Sequence, residues 1–197
     1  MNLKKPKFWD HKKPNTLAYL LLPISYLFKL PRLFKRKSKI KKTKIKTICV
    51  GNIYLGGTGK TSLSIKINEI LNERKIKACF VKKFYFTQLD EQKLLESRGK
   101  LFTSSKRLDA INLAENEGYE IAILDDGLQD DSIKYDLRFV CFNNINWIGN
   151  GFTIPAGPLR ENIVSLKNYK HVFLNGNLEN LNDIKDKLYK LNSNINL

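Results

Sequence analysis

From residue 45 onward, short apolar runs alternate with polar stretches of helical length, and that alternation predicts an α/β domain. The runs at 45–50, 78–81, 101–104, 119–124, 137–142 and 170–175 read as strands. Run 119–124 is Tyr-Glu-Ile-Ala-Ile-Leu, and its continuous apolar stretch suits a strand buried on both faces of a parallel sheet. Between the strands, a helix is expected from the end of the glycine-rich stretch at 56–59 to about Glu73. A second helix starts within 93–96. A third covers 106–117, with Leu108, Ile111 and Leu113 on its apolar side and Gly118 as its stop. Residues 176–197 are polar and predict one helix with a frayed end. The expected fold is α/β and P-loop NTPase-like: a mostly parallel sheet flanked by helices.

The N-terminal pattern is different. Residues 17–28, Leu-Ala-Tyr-Leu-Leu-Leu-Pro-Ile-Ser-Tyr-Leu-Phe, are almost wholly apolar. Twelve helical residues span about 18 Å, short of the roughly 30 Å hydrocarbon core, and Pro23 falls mid-run. A membrane-spanning helix is therefore not expected. No small-residue cleavage site follows, so the run does not read as a signal peptide either. An interfacial helix fits better, with Trp9, Tyr19 and Tyr26 at headgroup level. The open alternative is a helix packed on the domain beside a solvated basic tail.

Charge sharpens this reading. The chain has 35 Lys+Arg against 19 Asp+Glu over 197 residues, a net charge of +16. Residues 1–46 alone hold 15 of the basic residues and one acid, Asp10, leaving 20 against 18 for the remainder. Ten of the basic residues lie between 29 and 46. The basicity thus belongs to the N-terminal arm, where lysines beside an apolar run suit an anionic membrane surface. Few aromatics interleave with the basic run, which argues against nucleic acid. The organisation expected is a membrane-anchoring segment at 1–44 and a nucleotide-binding domain at 45–197. Cys49, Cys79 and Cys141 sit in strand-like runs without metal spacing, excluding a disulfide framework and fitting a reducing compartment. His11 and His171 have no partners at catalytic or metal spacing.

The candidate chemistry lies at strand ends. The first strand feeds Gly51-Asn52-Ile53-Tyr54-Leu55-Gly56-Gly57-Thr58-Gly59-Lys60-Thr61-Ser62, and a helical run follows. A strand, a glycine-rich turn, Lys-Thr and a helix make a phosphate-binding loop. Gly56, Gly57, Thr58 and Gly59 let backbone N–H groups approach phosphate oxygens, and the helix N-terminus adds donors and partial positive charge. Lys60 is expected on the β- and γ-phosphates of ATP, Thr61 on Mg²⁺, and Ser62 in the first helical turn beside them. Tyr54 stands where the strict pattern has its first glycine. Strand 119–124 ends in Asp125-Asp126-Gly127-Leu128-Gln129, and a carboxylate in that place downstream of such a loop serves Mg²⁺. An Asp-Gly turn is the alternative for the Asp pair. Residues 82–86, Lys-Lys-Phe-Tyr-Phe, fall at a strand's C-terminal end, where open α/β sheets bind ligands. Arg160, in the stiff stretch Pro155-Ala156-Gly157-Pro158-Leu159-Arg160-Glu161, is either a phosphate contact or a structural arginine.

Taken in order, the glycine-rich loop, Asp125-Asp126-Gly127-Leu128-Gln129 and Pro155-Ala156-Gly157-Pro158-Leu159-Arg160-Glu161 resemble the tetraacyldisaccharide 4′-kinase (lipid A 4′-kinase) family of lipopolysaccharide synthesis. Phe8-Trp9 and Leu20-Leu21-Leu22-Pro23 resemble that family's opening membrane segment. The resemblance implies a P-loop kinase at the cytoplasmic face of the bacterial inner membrane, bound peripherally. It would transfer the γ-phosphate of ATP, with Mg²⁺, to the 4′-hydroxyl of a tetraacyldisaccharide 1-phosphate. It also implies that Asp90, in Leu89-Asp90-Glu91-Gln92, acts near the acceptor hydroxyl, with a helix cap or surface aspartate as the alternative. In this picture Lys60 and Asp125 complete the catalytic set, Thr61 and Asp125 hold the metal, and Asp126, Gln129 and Arg160 contribute secondarily. Three features depart from the family. Lys82-Lys83-Phe84-Tyr85-Phe86 replaces a Ser-Arg-Gly-Tyr-Gly stretch, Asp130 replaces a histidine, and the chain reaches Leu197 without the family's second lobe. The expectation is a short form of the kinase. The competing expectation is a membrane-associated ATP-binding protein without a lipid acceptor. Protein partners are not legible in the sequence.

Overall fold

The computed structural model describes residues 5–28, 40–177, 179 and 181–197. Six strands form one sheet: β1 (Lys46–Gly51), β2 (Ala78–Lys83), β3 (Leu101–Ser104), β4 (Ile121–Asp125), β5 (Leu137–Asn143) and β6 (His171–Asn175), in the order β3-β2-β4-β1-β5-β6. The pairs β2/β3, β2/β4, β1/β4 and β1/β5 are all parallel. The helices are α1 (Thr16–Leu27), α2 (Lys60–Glu73), α3 (Leu89–Glu96), α4 (Arg107–Asn116) and α5 (Leu181–Leu191). The chain divides into two compact units. One comprises residues 5–28, 53–58 and 141–197, and the other 40–52 and 59–140.

The second unit carries most of the sheet. β4 is buried from Ala122 to Asp125 and β2 from Ala78 to Lys82, as strands covered on both faces must be. One core cluster joins Cys79 and Val81 of β2, Ala122 and Leu124 of β4, and Phe102 of β3 to Ala110, Ile111 and Ala114 of α4. The small alanines of α4 let it lie close on β2 and β3. Cys49 and Cys79 are buried free thiols, and burial pushes the Cys79 thiol up to about 12, so they act as small apolar side chains. The expected helix start within 93–96 is corrected: α3 begins at Leu89 and ends at Glu96. Gln92, buried under the helix, donates to the carbonyls of Tyr85 and Gln88 and fixes the preceding turn.

The first unit is built from separate stretches of chain. Trp9 is 7% exposed, its Nε1 donates to the Pro155 carbonyl at 3.0 Å, and its own carbonyl accepts from the Asn150 amide at 3.0 Å. The sequence expectation placed Trp9 at a lipid headgroup; the structure places it in the core, because a loop carbonyl satisfies its indole N–H. α1 is capped by Asn15, whose side chain accepts from the Ala18 amide, and it continues through Pro23. Ala18 and Ser25, two turns apart, form its buried side. Ser25 Oγ donates to the Thr153 carbonyl at 2.9 Å and accepts from the Ala156 amide at 3.0 Å. The rest of its surface exposes the apolar and aromatic Leu17, Tyr19, Leu20, Ile24, Tyr26 and Leu27, with Phe28 just beyond its end. Among the described residues no helix is long and apolar enough to cross a membrane. The basic run expected at 29–46 lies outside the described residues as far as 39.

The frayed C-terminal end is also corrected. Beyond α5, Ile195 is buried, the Asn196 amide donates to the Lys170 carbonyl, and its carbonyl accepts from Val172. Asn192 Nδ2 donates to the carbonyls of Leu166 and Tyr169. One apolar side chain and four hydrogen bonds are enough to fix a segment with no periodicity of its own.

Candidate functional site

The candidate phosphate loop follows β1 and ends at the start of α2, with residues 53–58 in the first unit and 59–62 in the second. In the second unit, β1 and β4 pair with Val50 opposite Asp125, so the loop departs beside that carboxylate. Gly59 caps α2 in a left-handed conformation, φ 81°, which a side chain rarely adopts. Lys60 and Thr61 then open the helix half-buried, with Ser62 exposed. No side chain caps this N-terminus, which leaves its first-turn amides to a ligand. One turn further, Ser64 is buried and its Oγ lies 3.5 Å from Asp125 Oδ1. In the first unit, Gly56 (φ 151°) and Gly57 are exposed and Thr58 is buried. A side chain added at Gly57 would meet nothing within 4 Å, so the backbone there is open to an approaching group.

Asp125 is wholly buried and is not alone. Lys82 Nζ lies 2.6 Å from Asp125 Oδ2 and 2.6 Å from Glu91 Oε2. Lys82 follows Val81, which pairs with Leu124, so the two side chains leave neighbouring strand ends together. Burial pulls the Lys82 ammonium down, but the carboxylates of Asp125 and Glu91 outweigh it and hold its pKa above the ordinary lysine value. Burial pushes the Asp125 carboxyl up, while the ammoniums of Lys82 and, further off, Lys60 work against that rise. Sequence reasoning missed Lys82 and Glu91. The available signal was a lysine inside an otherwise apolar strand, which needs a buried carboxylate to be stable there.

The other candidates fall around this centre. Asp126 has φ 60°, its amide donates to the Val50 carbonyl, and its carbonyl accepts from Arg107 Nη2 at 2.6 Å. Gln129 Nε2 donates to the Asn52 carbonyl at 3.1 Å, so this side chain steadies the start of the phosphate loop. Gly51 packs directly against Leu128, where a Cβ would come within 2.6 Å of Cγ. The Asp-Asp-Gly-Leu-Gln run therefore supplies both a carboxylate and a brace for the loop. Asp90 is exposed in the first turn of α3, and its side chain has no hydrogen bond or ion pair among the described residues; its neighbour Glu91 is the one joined to Asp125 through Lys82.

In the first unit, Tyr54 explains the break in the strict loop pattern. It is 1% exposed, bridges to Leu159, and its hydroxyl donates to Asp10 Oδ1 at 2.7 Å. Lys5 Nζ reaches both Tyr54 Oη and Asp10. Burial works upward on the Asp10 carboxyl, but the hydrogen bonds from Lys5 and Tyr54 outweigh it and hold it below the usual carboxylate range. The Arg160 amide donates to the Ile53 carbonyl and the Leu55 amide to the Pro158 carbonyl. Gly157 leaves no room for a Cβ, which would lie 2.1 Å from Asn150 Oδ1 and 2.4 Å from the Phe152 carbonyl oxygen. The Pro-Ala-Gly-Pro-Leu-Arg-Glu stretch thus scaffolds residues 53–55 through its backbone, and Arg160 is presented at the end of that scaffold.

The chain as a whole is similar to known proteins. The profile of the family described as tetraacyldisaccharide-1-P 4′-kinase matches residues 17–196. A tetraacyldisaccharide 4′-kinase of Pelagibacter ubique (strain HTCC1062) is 63% identical over 197 residues, covering 100% of this chain and 63% of that protein. One of Rickettsia canadensis (strain McKiel) is 33% identical over 179 residues, covering 82% of this chain and 54% of that protein. The chain thus spans 54% to 63% of the length of these relatives. The crystal structure of LpxK from Aquifex aeolicus in complex with ATP superposes with a TM-score of 0.68 at 26% identity, covering 81% of this chain and 59% of that one. The parallel sheet flanked by helices is the fold expected from sequence, and the chain belongs to the tetraacyldisaccharide-1-P 4′-kinase family.

Proposed function

We propose that this chain is a tetraacyldisaccharide 4′-kinase, moving the γ-phosphate of ATP to the 4′-hydroxyl of a tetraacyldisaccharide 1-phosphate. The observation that carries the reading is the register of Val50 with Asp125, which sets a phosphate loop and a buried carboxylate side by side at the carboxyl end of a parallel sheet. Lys60 and the amides of residues 56–61 bind the phosphates, with Ser62 in the same first turn. Thr61 and Asp125 are the residues that would hold Mg²⁺: Asp125 keeps Oδ1 in only a long contact with Ser64 Oγ while Oδ2 is tied to Lys82, a donor set that fits a hard cation. Held by these residues, Mg²⁺ would supply charge neutralisation for phosphoryl transfer. The acceptor oxygen forms the new bond to the γ-phosphorus as the bond to the β–γ bridging oxygen breaks, ADP leaves, and Asp90 takes or orients the hydroxyl proton. Asp126, Gln129 and Arg160 hold the loop and the phosphates in place. This chemistry depends on positioning and charge more than on covalent help from the protein.

The exposed apolar surface of α1 and Phe28 gives the reading its membrane half. Seven apolar and aromatic side chains there suit the acyl boundary, and the lysines of the N-terminal arm suit anionic lipid. Residues 1–44 act as the peripheral anchor at the cytoplasmic face of the inner membrane and 45–197 as the kinase domain. An acceptor whose acyl chains stay in the bilayer requires the enzyme to come to it. A second reading, ATP binding without a lipid acceptor, is favoured by one observation: the exposed Asp90 side chain is oriented by no hydrogen bond or ion pair among the described residues.

The test is transfer of labelled γ-phosphate to the tetraacyldisaccharide 1-phosphate in detergent micelles with Mg²⁺. Lys60→Ala and Asp125→Asn are each expected to lower transfer by a factor of about 100 or more, the scale seen on removing one preorganised charge-stabilising group. ATP binding that depends on Lys60, without lipid-dependent transfer, establishes the second reading instead.

A further inference from the structure

Lys82 lies near the carboxyl end of β2, in the unit formed by residues 40–52 and 59–140, and is 1% exposed. A buried pair of opposite charges is often no more stable than apolar side chains of the same volume. Packing alone therefore gives no reason for an ammonium here, and the reason has to be sought in what the ammonium touches. Its Nζ lies 2.6 Å from Asp125 Oδ2 and 2.6 Å from Glu91 Oε2. Asp125 is wholly buried, so the first contact is little screened. Glu91 is 48% exposed on its side chain, so solvent weakens the second.

The Asp125 carboxylate is thereby divided. Oδ2 belongs to the ammonium, while Oδ1 has only a long contact of 3.5 Å from Ser64 Oγ. A hard divalent ion can take one oxygen of this carboxylate, not both. Lys82 and Asp125 together carry no net charge, so the ion would meet a carboxylate already balanced, with a like charge on its far oxygen. Like charges a few ångströms apart in a protein repel strongly, and a doubly charged ion doubles the repulsion. Of the further charges acting on Asp125, Lys60 and Asp126 oppose one another. The negative charge that tips the balance toward the ion therefore has to arrive from outside. The phosphates of a nucleotide, held by Lys60 and the opening amides of α2, would bring it.

We propose that Lys82 is a built-in competitor of the divalent ion on Asp125, so that the ion binds firmly only together with a nucleoside triphosphate. The proposal rests on the assignment of Asp125 as the cation's carboxylate and is independent of the lipid acceptor. Lys82 is a positioning residue in this role: it acts through Asp125 and leaves one defined oxygen for the metal. The experiment is Mn²⁺ binding to the intact chain, read from the free-ion electron paramagnetic resonance signal, with and without the non-hydrolysable ATP analogue AMP-PNP. The wild type is expected to bind Mn²⁺ weakly alone and at least about 10-fold more tightly with the analogue. Without nucleotide, Lys82→Met should bind Mn²⁺ at least about 10-fold more tightly than the wild type, as removal of a repulsion of about 1.4 kcal/mol or more requires. Lys82→Arg keeps the charge and should keep the weak binding, a difference that a merely structural role for Lys82 would not produce. Because Lys82→Met also leaves Asp125 unpaired, its unfolding is followed in parallel. Mn²⁺ alone should raise the urea midpoint of Lys82→Met and leave that of the wild type nearly unmoved, since an ion that binds only the folded chain stabilises it more the more tightly it binds. Glu91→Gln, at a half-exposed position, tests the same balance without that loss of stability. It leaves Lys82 wholly to Asp125 and should weaken Mn²⁺ binding about 2–5-fold, the scale of a partly exposed ion pair. Asp125→Asn separates this proposal from the assignment beneath it. Mn²⁺ binding unchanged by Asp125→Asn removes the assignment and the proposal with it. Binding lost in Asp125→Asn but equal in Lys82→Met and the wild type, or tightened to the same degree in Lys82→Arg, overturns the proposal alone.

Discussion

Replacing Lys82 by methionine isolates the electrostatics of the centre, because methionine keeps most of the side-chain volume and removes the charge. Lys82 is 1% exposed, and its Nζ lies 2.6 Å from Asp125 Oδ2 and 2.6 Å from Glu91 Oε2. Glu91 is 48% exposed on its side chain, so solvent screens it and its share is small. Asp125 is wholly buried, and the substitution leaves its carboxylate without a counter-charge. Breaking a buried pair in this way costs about 3–5 kcal/mol, a large part of the roughly 5–15 kcal/mol that holds a domain together. The pH dependence has a defined sign. Burial raises the Asp125 carboxyl, and losing Lys82 removes the largest force opposing that rise. In the variant the protonated carboxyl is therefore favoured by folding, so the deficit is greatest at high pH and shrinks as pH falls toward the raised value. Urea unfolding followed by far-UV circular dichroism at pH 8 and pH 5 measures this. Lys82→Met should lose more at pH 8 than at pH 5, and Lys82→Met/Asp125→Asn should recover most of the loss. A deficit below about 1 kcal/mol at pH 8, or additive effects in that double-mutant cycle, would refute the reasoning.

Gly157→Ala should destabilise the first unit by at least about 1–3 kcal/mol, read as a lower urea midpoint, because its Cβ would lie 2.4 Å from the Phe152 carbonyl oxygen, which cannot swing aside. Asp136 accepts from the amide and hydroxyl of Thr47 at the start of β1. Burial pushes its carboxyl up, but the Thr47 hydrogen bonds and Lys46 outweigh this and hold it below the ordinary value. A lowered folded pKa gives stability that is complete above the unfolded value of about 3.9 and lost as pH falls through the folded one. Asp136→Asn should therefore flatten the acid limb of the stability–pH curve, measured by thermal melts from pH 6 to pH 2. Tyr54→Phe removes the donor to Asp10, whose carboxyl should then titrate higher by NMR, while the buried ring keeps residues 53–55 in place.

Much of this architecture could be read from the sequence because its signals are local. Ile45–Val50, the glycines and the helical run after Lys60 specify strand, loop and helix within thirty residues, and Asp125 follows from an apolar strand ending in acid. What escaped depends on neighbours distant in sequence. Trp9 among lysines has the same pattern whether its indole meets a headgroup or the Pro155 carbonyl, and the structure shows the latter. Lys82 looked like the first residue of a polar loop, whereas it is the last buried residue of β2, held there by a carboxylate 43 positions away. The start of α3 was placed too late because Leu89-Asp90-Glu91-Gln92 has little apolar periodicity, and its anchor is Gln92 bonding back to Tyr85. Tyr54 broke a known loop pattern, and its burial and the bond from its hydroxyl to Asp10, 44 positions earlier, show why a large ring belongs there.

The most direct test of the central claim is to find where the phosphate goes. The intact chain is incubated with ATP, Mg²⁺ and tetraacyldisaccharide 1-phosphate in mixed micelles, and the recovered lipid is examined by phosphorus–proton correlation NMR. The account predicts a second phosphomonoester on the lipid, coupled to the proton at the 4′ carbon, absent when Lys60→Ala replaces the wild-type chain. A lipid returned with its single original phosphate, while the wild-type chain binds ATP through Lys60, contradicts it.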